Sequence, residues 1–430
     1  MKITLVNHSD TLGGASVVTF RLMEALRTLG IDARMLVAKK MSDSPFVEQA
    51  ASSLRTKLPF LKEHLQIFTH NGFSRKDLFK ASIGSAGLPL SRHPLITDAD
   101  AVILNWVNQG MLSLDEIERI ASEKPTLWTM HDMWNFTGIC HHAGTCDKYL
   151  THCHDCPLLN SDASPCDLSF KTFNRKQGVY SNTSIKFIAV SSWLAARAHD
   201  SKLLGKCRVE TIHNAIRLDR FGAPPEYSRA ELGLPENKKL IVFCAARIDD
   251  PIKCFPLAIE AFNELASTHG DKACAVLVGD IRNPDALNSL KLHHVFLGPV
   301  YSPTKMQSIM SHASVVLSTS SYESLPTILI EGQAAGAIPV GFIHDGRADI
   351  IIDGKSGYAI RPADFYKNQE KCETANCRLE ELAKCKIAAT AEALRKALDN
   401  PISNENLALS ASRFSYDSIA RQYLKLIGKA

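Results

Sequence analysis

Residues 320–336 have the sequence SSYESLPTILIEGQAAG and directly follow a short apolar run at 314–317. The run predicts a buried strand, and Pro326 suits the first turn of a helix that comes after it. Backbone N–H groups at a helix start favour an anion. Glu323 would lie in the loop and Glu331 about two turns into the helix. The stretch therefore predicts a ligand site at the end of a strand, or else a capped helix with two solvated glutamates.

Apolar segments of strand length alternate with segments of helical periodicity along most of the chain. Strands are predicted at 3–7, 33–38, 101–104, 125–130, 186–190 and 209–212 in the first half, and at 240–245, 273–278, 294–297, 314–317 and 338–342 in the second. Helices are predicted at 16–29, 256–266, 304–311, 367–399 and 415–427. This alternation predicts an α/β fold with parallel sheets. The length of 430 residues suits two domains.

Composition narrows the class of protein. No apolar run approaches the roughly 20 residues that a membrane-spanning helix needs. The chain enters a strand at residues 3–7 without a recognisable signal peptide, so we expect a cytoplasmic protein. A net charge of +4 argues against a nucleic-acid partner.

Two cations follow the first strand of the second half. Residues 242–253, VFCAARIDDPIK, place Arg247 and Lys253 at and after the end of this strand. Fixed cations at this position suit a diphosphate leaving group, because they stabilise the negative charge that grows as its bond breaks. The alternative is a pair of surface cations between a strand and a helix.

The spacing of Glu323 and Glu331 resembles the E-x7-E signature of the family 4 retaining glycosyltransferases of GT-B fold. In that family the first glutamate approaches the donor sugar and the second holds the ribose. The segment that carries Arg247 and Lys253 also resembles the family pattern, with one departure. Cys254 stands where the family usually has glycine, which puts the backbone shape there in doubt.

Residues 128–134, WTMHDMW, resemble a signature of bacterial polysaccharide members of the same family. The resemblance implies that His131 meets the donor sugar near its reacting carbon, and a buried structural histidine is the alternative. His213 and Asn214 match a family segment near the domain junction, where Asn214 suits a hinge or backbone cap. The other donor-binding residues that the resemblance implies are Gly13, Gly14, Gly279, Val300, Ser324, Leu325 and Pro326.

The resemblance covers nearly the whole chain and implies a GT-B architecture of two Rossmann-like domains facing a cleft. Residues 1–215 would form the acceptor domain, with a cysteine-rich insert at 140–166, and residues 216–410 the nucleotide-sugar donor domain. Residues 411–430 would form a C-terminal helix that crosses back to the first domain. The family transfers sugar with retention by front-face attack, and no catalytic metal is expected.

The expected function is transfer of a sugar from a UDP-, GDP- or ADP-linked donor to a glycan or lipid-linked acceptor in cell-surface polysaccharide biosynthesis. Two alternatives from other classes stay open. One is a sugar-nucleotide epimerase of the same fold, which needs no acceptor. The other is a non-enzymatic, zinc-containing binding protein.

Four of the twelve cysteines lie within 17 residues, at Cys140, Cys146, Cys153 and Cys156. Four thiolates in a cytoplasmic loop suit a structural Zn²⁺, which would hold a segment that lacks apolar residues of its own. One of the interleaved histidines, His141, His142, His152 or His154, could replace a cysteine, and Cys166 is a spare candidate. Two disulfides or free thiols are the alternatives.

Residues 54–79 combine cations with leucine and phenylalanine. Such a stretch could lie on an anionic membrane surface, at the inner face of the membrane, and this would suit a lipid-linked acceptor. An ordinary helix that packs its apolar side into the first domain explains it equally well.

Overall fold

The computed structural model describes residues 1–75, 77–361 and 375–428. The chain divides into two compact units, one of Met1–Ala215 with Tyr416–Ala430 and one of Ile216–Ser415. Each unit has one parallel β-sheet with helices, which is the α/β architecture that the sequence predicts.

The first unit holds a seven-stranded sheet in the order β3-β2-β1-β4-β5-β6-β7. Its strands are β1 (Lys2–Ser9), β2 (Asp32–Lys39), β3 (Val47–Gln49), β4 (Ala101–Leu104), β5 (Thr126–Met130), β6 (Lys186–Ala189) and β7 (Val209–Thr211). Its helices are α1 (Gly14–Thr28), α2 (Ser53–His70), α3 (Pro94–Thr97), α4 (Leu114–Glu123), α5 (Leu168–Asn182), α6 (Ser192–Asp200) and, from the end of the chain, α13 (Tyr416–Ile427). The buried core includes Leu5, Val37 and Ile103 from three adjacent strands.

The second unit holds a six-stranded sheet in the order β10-β9-β8-β11-β12-β13. Its strands are β8 (Lys239–Arg247), β9 (Ala273–Asp280), β10 (His294–Gly298), β11 (Ala313–Ser318), β12 (Ile338–Phe342) and β13 (Tyr358–Ile360). Its helices are α7 (Leu218–Phe221), α8 (Phe255–His269), α9 (Pro303–His312), α10 (Thr327–Ala334), α11 (Ala375–Asp399) and α12 (Asn404–Ser412). Of the helix predicted at 367–399, residues 367–374 lie outside the described part of the chain.

The last helix, α13, completes the core of the first unit. Ile419 and Tyr423 are buried, and the Tyr423 hydroxyl lies 2.9 Å from Oγ1 of Thr129 in β5. Tyr416 donates to the Glu24 carboxylate in α1 (2.8 Å), and the Lys186 ammonium donates to the Leu426 carbonyl (2.7 Å). The apolar face predicted for this helix is therefore buried against the first sheet and α1.

Ligand contacts in parallel α/β sheets lie beyond the carboxyl ends of the strands. In the second sheet β8 pairs with β11, with Val242 opposite Val316, so the loops that follow these two strands lie side by side. No helix in the described ranges has the length and apolarity needed to cross a bilayer.

Candidate active site

Lys253 and Glu323 are 70 positions apart in the sequence, and the fold brings them into contact. Lys253 ends a short 3-10 turn after β8, Glu323 lies in the loop after β11, and the Lys253 ammonium donates to the Glu323 carboxylate at 2.7 Å. Burial favours the neutral acid, but Lys253 outweighs it and holds the pKa of Glu323 below its ordinary value. Two residues of the predicted site thus form one charged pair at the carboxyl edge of the sheet.

Arg247 ends β8, six residues before Lys253, and is held by its own loop. Its guanidinium donates to Asp250 at 2.7 Å and lies 3.5 Å from Asp249. About a quarter of the side chain is accessible, at 26%. A ligand that uses Arg247 therefore has to compete with two carboxylates.

Cys254 adopts the left-handed backbone conformation, with φ 50° and ψ 45°. This is the conformation that glycine adopts most easily, and it explains why glycine is usual at this position in the family. The Thr319 hydroxyl donates to the Lys253 carbonyl (2.8 Å), and Ser321 N–H donates to the Ile252 carbonyl (2.8 Å). The turn before α8 thus keeps the glycine-type shape although it carries a side chain.

Asp345 and Arg347, in the loop after β12, hold the backbone of Glu323 in place. No motif in the sequence pointed to these two residues. Both side chains are fully buried, and Arg347 donates twice to Asp345, at 2.9 and 2.6 Å. Asp345 also accepts from the backbone N–H of Glu323 at 2.7 Å. Between them, a Cβ on Gly346 would lie 1.8 Å from the Ser324 carbonyl oxygen. The Asp-Gly-Arg sequence after an apolar strand was the signal that could have revealed this contact.

Helix α10 places the remaining residues of the E-x7-E stretch. Pro326 is its N-cap and the helix begins at Thr327, so Glu331 lies about one turn in, not two. Glu331 is buried to 6% exposure, while Ser324 and Leu325 precede the helix in the loop.

Gly279 and Val300 follow the same edge of the sheet, at the end of β9 and after β10. Gly279 has φ 136°, and a Cβ there would lie 1.9 Å from the Ala245 carbonyl oxygen. Close packing against β8 is thus enough to require glycine at this position, whether or not a ligand binds there. The donor-binding role of Gly279 stays a prediction.

His131 follows β5 at the carboxyl edge of the first sheet. Its Nε2 lies 3.1 Å from Oδ1 of Asn105, whose amide Nδ2 donates to the Ile103 carbonyl (3.2 Å). This orientation of the amide makes Nε2 the protonated nitrogen and leaves Nδ1 as an acceptor. Burial lowers the pKa of His131 to about 4, so the ring is neutral at neutral pH.

Asp132, the next residue, anchors the loop that His131 begins. Its carboxylate accepts from Nδ1 of His141 (2.7 Å), Nε1 of Trp106 (2.9 Å) and the backbone N–H of Trp134 (2.9 Å). The pKa of this carboxyl lies well below its ordinary value, because His141 and these donors outweigh the opposing effect of burial. His141 is therefore a structural partner of Asp132.

Gly13 and Gly14 form the start of α1, after β1. Gly13 is the N-cap with φ 88°, and a Cβ on either glycine would meet no atom within 4 Å. The backbone is therefore open to close approach by a ligand at this helix start.

A pocket of about 480 Å³ lies at the carboxyl ends of β1, β2 and β3, bordered by α2. It is lined by His8, Ala38, Lys39, Lys40, Gln49, Ser53, Thr56, Lys57 and Phe60. Burial lowers the pKa of His8, which favours its neutral form. The lining is basic and carries no acidic side chain.

The structure does not support the predicted zinc site. Across the described residues, no group of three or more His, Cys, Asp or Glu side chains is placed to hold a metal ion, and Cys140, Cys146, Cys153 and Cys156 are free thiols, as is Cys166.

The physical reason is that the cysteine-rich insert has other support. Cys156 and Leu159 pack into an apolar cluster with Ile67 and Ile83, so the rest of the first unit holds the insert in place. The buried Lys176 ammonium donates to the carbonyls of Trp134, Thr137 and Gly138. It also lies 3.5 Å from the centre of the Trp134 ring.

Comparison with known proteins agrees with this architecture. Residues 226–374, about a third of the chain, match the sequence model of the family described as Glycosyl transferases group 1. A search of curated proteins finds no match to this chain.

Several solved structures share the fold over the full length of the chain. The Anabaena protein HepE in complex with UDP is 17% identical, with a TM-score of 0.55 and 99% of each chain covered. WaaG, a glycosyltransferase involved in lipopolysaccharide biosynthesis, is 13% identical, with a TM-score of 0.58 and full coverage of both chains. Sucrose-phosphate synthase from Thermosynechococcus elongatus is 16% identical, with a TM-score of 0.59, covering 99% of this chain and 98% of its own. The chain therefore has the two-domain α/β fold of these structures, and its second unit carries the match to the Glycosyl transferases group 1 model.

Proposed function

We propose that this chain transfers a sugar, with retention of configuration, from a nucleoside diphosphate sugar to a glycan or lipid-linked acceptor in cell-surface polysaccharide biosynthesis. The contact between Lys253 and Glu323, in the loops that follow two adjacent strands, is the observation that carries the proposal. Retention follows the family 4 resemblance. UDP is the first nucleotide to test, because HepE structures hold UDP or UDP-glucose.

The second unit supplies the donor-binding groups in this proposal. Arg247 and Lys253 take the pyrophosphate, whose charge grows as the bond to the sugar breaks, so both stabilise the transition state more than the ground state. Glu323 accepts from a sugar hydroxyl, and Glu331 accepts from the ribose hydroxyls. In the ligand-free chain Lys253 is held by Glu323 at 2.7 Å and Arg247 by Asp250 at 2.7 Å, so both cations are positioned before the donor arrives.

The remaining donor contacts come from the family resemblance. Backbone groups at Gly13, Gly14 and Gly279 and residues Val300, Ser324, Leu325 and Pro326 complete the set of proposed donor contacts. His131 contacts the transferred sugar as a neutral ring, because burial depresses its pKa to about 4. A neutral imidazole with a free Nδ1 accepts a hydrogen bond from a hydroxyl.

We assign acceptor binding to the basic pocket bordered by α2. Lys39, Lys40 and Lys57 line it, together with the imidazole of His8 and the side chains of Gln49, Ser53 and Thr56. Such a lining favours an acceptor that carries phosphate. Nucleotide-sugar chemistry and free thiols suit the cytoplasm, at the inner face of the membrane where the acceptor is lipid-linked.

The test is donor turnover with and without acceptor, after a thermal-shift screen of UDP-, GDP- and ADP-sugars identifies the donor. Transfer that needs the acceptor supports the proposal, whereas acceptor-independent isomerisation of the sugar identifies the epimerase alternative. We expect Arg247→Ala and Lys253→Ala each to lower turnover about a hundredfold or more. The control is Lys272→Ala, an exposed lysine before β9 at the opposite edge of the same sheet. Equal rates in all three variants would reject the donor-site assignment.

A further inference from the structure

Helix α2 presents a row of leucines to solvent. Leu54, Leu58, Leu61 and Leu65 are exposed by 72%, 61%, 59% and 62%. Their spacing of four, three and four residues puts them on one narrow stripe of the helix. The leucine row therefore does not pack into the first unit, although Ile67 of the same helix does.

The side of α2 that faces the protein buries Glu63, His64 and Ile67, and the Glu63 carboxylate fixes its orientation. Glu63 is 1% exposed and accepts from the backbone N–H groups of Ile83 (2.7 Å), Gly84 (2.9 Å) and Gly110 (3.0 Å). A Cβ on Gly110 would lie 2.4 Å from the backbone nitrogen of Phe60, so the helix sits directly against this loop. Turning the leucines inward would break three hydrogen bonds to a carboxylate, so their exposure is fixed by the fold.

Two exposed aromatic residues extend the apolar row. Phe73 is 71% exposed and packs edge-on against Phe68, with ring centres 5.6 Å apart. Phe79 is 62% exposed and lies against His64, with ring centres 5.1 Å apart. We call the four leucines and these two phenylalanines, which contact residues of the same helix, the α2 surface.

The charges on the α2 surface have one sign. The exposed cations at 54–80 are Arg55, Lys57, Lys62, Arg75 and Lys80. Of the two acidic residues in the described part of this stretch, Glu63 is buried and Asp77 pairs with Lys80 at 2.8 Å. A surface of this kind is complementary to an anionic one.

We propose that the α2 surface docks the protein on an anionic lipid bilayer. Exposed leucine and phenylalanine flanked by lysine and arginine are what an interfacial helix uses to enter the headgroup region. A second copy of the chain fits less well, because a symmetric contact through the leucine row would bring the same cations together. The proposal does not depend on sugar transfer. Lys57 belongs both to α2 and to the lining of the basic pocket, so a chain docked in this way would hold that pocket beside the lipid headgroups.

The experiment is flotation of the full chain with vesicles of phosphatidylcholine alone and of phosphatidylcholine with phosphatidylglycerol. We expect binding to the anionic vesicles only, weakening as salt is raised. Leu58→Ser with Leu61→Ser should weaken binding about tenfold or more, because both side chains leave the lipid phase. Lys62→Gln with Arg55→Gln should remove the preference for anionic vesicles.

Matched control variants distinguish binding through the α2 surface from nonspecific binding to vesicles. Leu409→Ser removes a leucine of the second unit that is also 72% exposed, and Lys202→Gln with Lys206→Gln removes exposed charges elsewhere on the first unit. These controls should bind as the wild type does, and circular dichroism checks that all variants fold. Absence of vesicle binding, equal binding by the leucine variant, or a dimer that the leucine variant abolishes would each overturn the proposal.

Discussion

Replacing Arg347 with methionine should destabilise the second unit strongly. Arg347 is fully buried and donates twice to the equally buried Asp345, at 2.9 and 2.6 Å. Methionine keeps much of the volume but leaves the Asp345 carboxylate buried without its cation. Removing one partner of a buried ion pair costs about 3–5 kcal/mol. For a unit of this size that lowers the melting temperature by about 10 °C.

The assay is calorimetric melting, which can separate the transitions of the two units. Arg361→Met is the control, because this arginine is 59% exposed and pairs with Asp353 at 3.3 Å on the surface of the same unit. A surface pair contributes at most about 1 kcal/mol, so the control should melt nearly as the wild type does. Equal shifts in melting temperature for Arg347→Met and Arg361→Met would refute the claim that the buried pair of Asp345 and Arg347 stabilises the loop that holds Glu323.

Three further predictions test single residues. Glu331→Ala should weaken UDP binding about tenfold in a calorimetric titration, because the ribose hydroxyls lose an acceptor. Cys254→Gly should stabilise the second unit by about 0.5–1 kcal/mol in thermal melting, because glycine relieves the left-handed strain at φ 50° but gains entropy when unfolded. The pKa of His131 falls from 6.5 to about 4 on folding, so the first unit should lose up to about 1.4 kcal/mol per pH unit as the pH falls through that window. His131→Gln should flatten this part of the melting profile, and an unchanged profile would contradict the burial of a neutral ring.

The sequence predicted most of the sheet because buried parallel strands are short, apolar and bounded by loops. Residues 101–104 and 338–342 are strands with the predicted bounds. The two strands it missed, β3 and β13, have three residues each, as does β7, which was predicted.

The candidate site was predictable only where a motif carried it. Lys253 and Glu323 follow family patterns, and the structure joins them at 2.7 Å. Asp345 and Arg347 belong to no motif that the sequence analysis used, and their role depends on the pairing of β11 with β12. Sequence spacing shows neither which loops become neighbours nor how deeply a charge is buried.

At the cysteine cluster and at α2, the sequence suggested features that the structure does not show. The cysteine spacing suggested a metal, because sequence does not show that Cys156 and Leu159 of the insert pack into an apolar cluster. The leucines of α2 suggested a core face equally well, because the three bonds that fix Glu63 inward come from residues 20 to 47 positions away.

A crystal structure of the chain with UDP would test the central claim most directly. The account predicts that the pyrophosphate lies at the carboxyl edge of the second sheet, within hydrogen-bond distance of Arg247 and Lys253, with the ribose at Glu331. Pyrophosphate bound elsewhere, with Lys253 still on Glu323 and Arg247 still on Asp250, would contradict it.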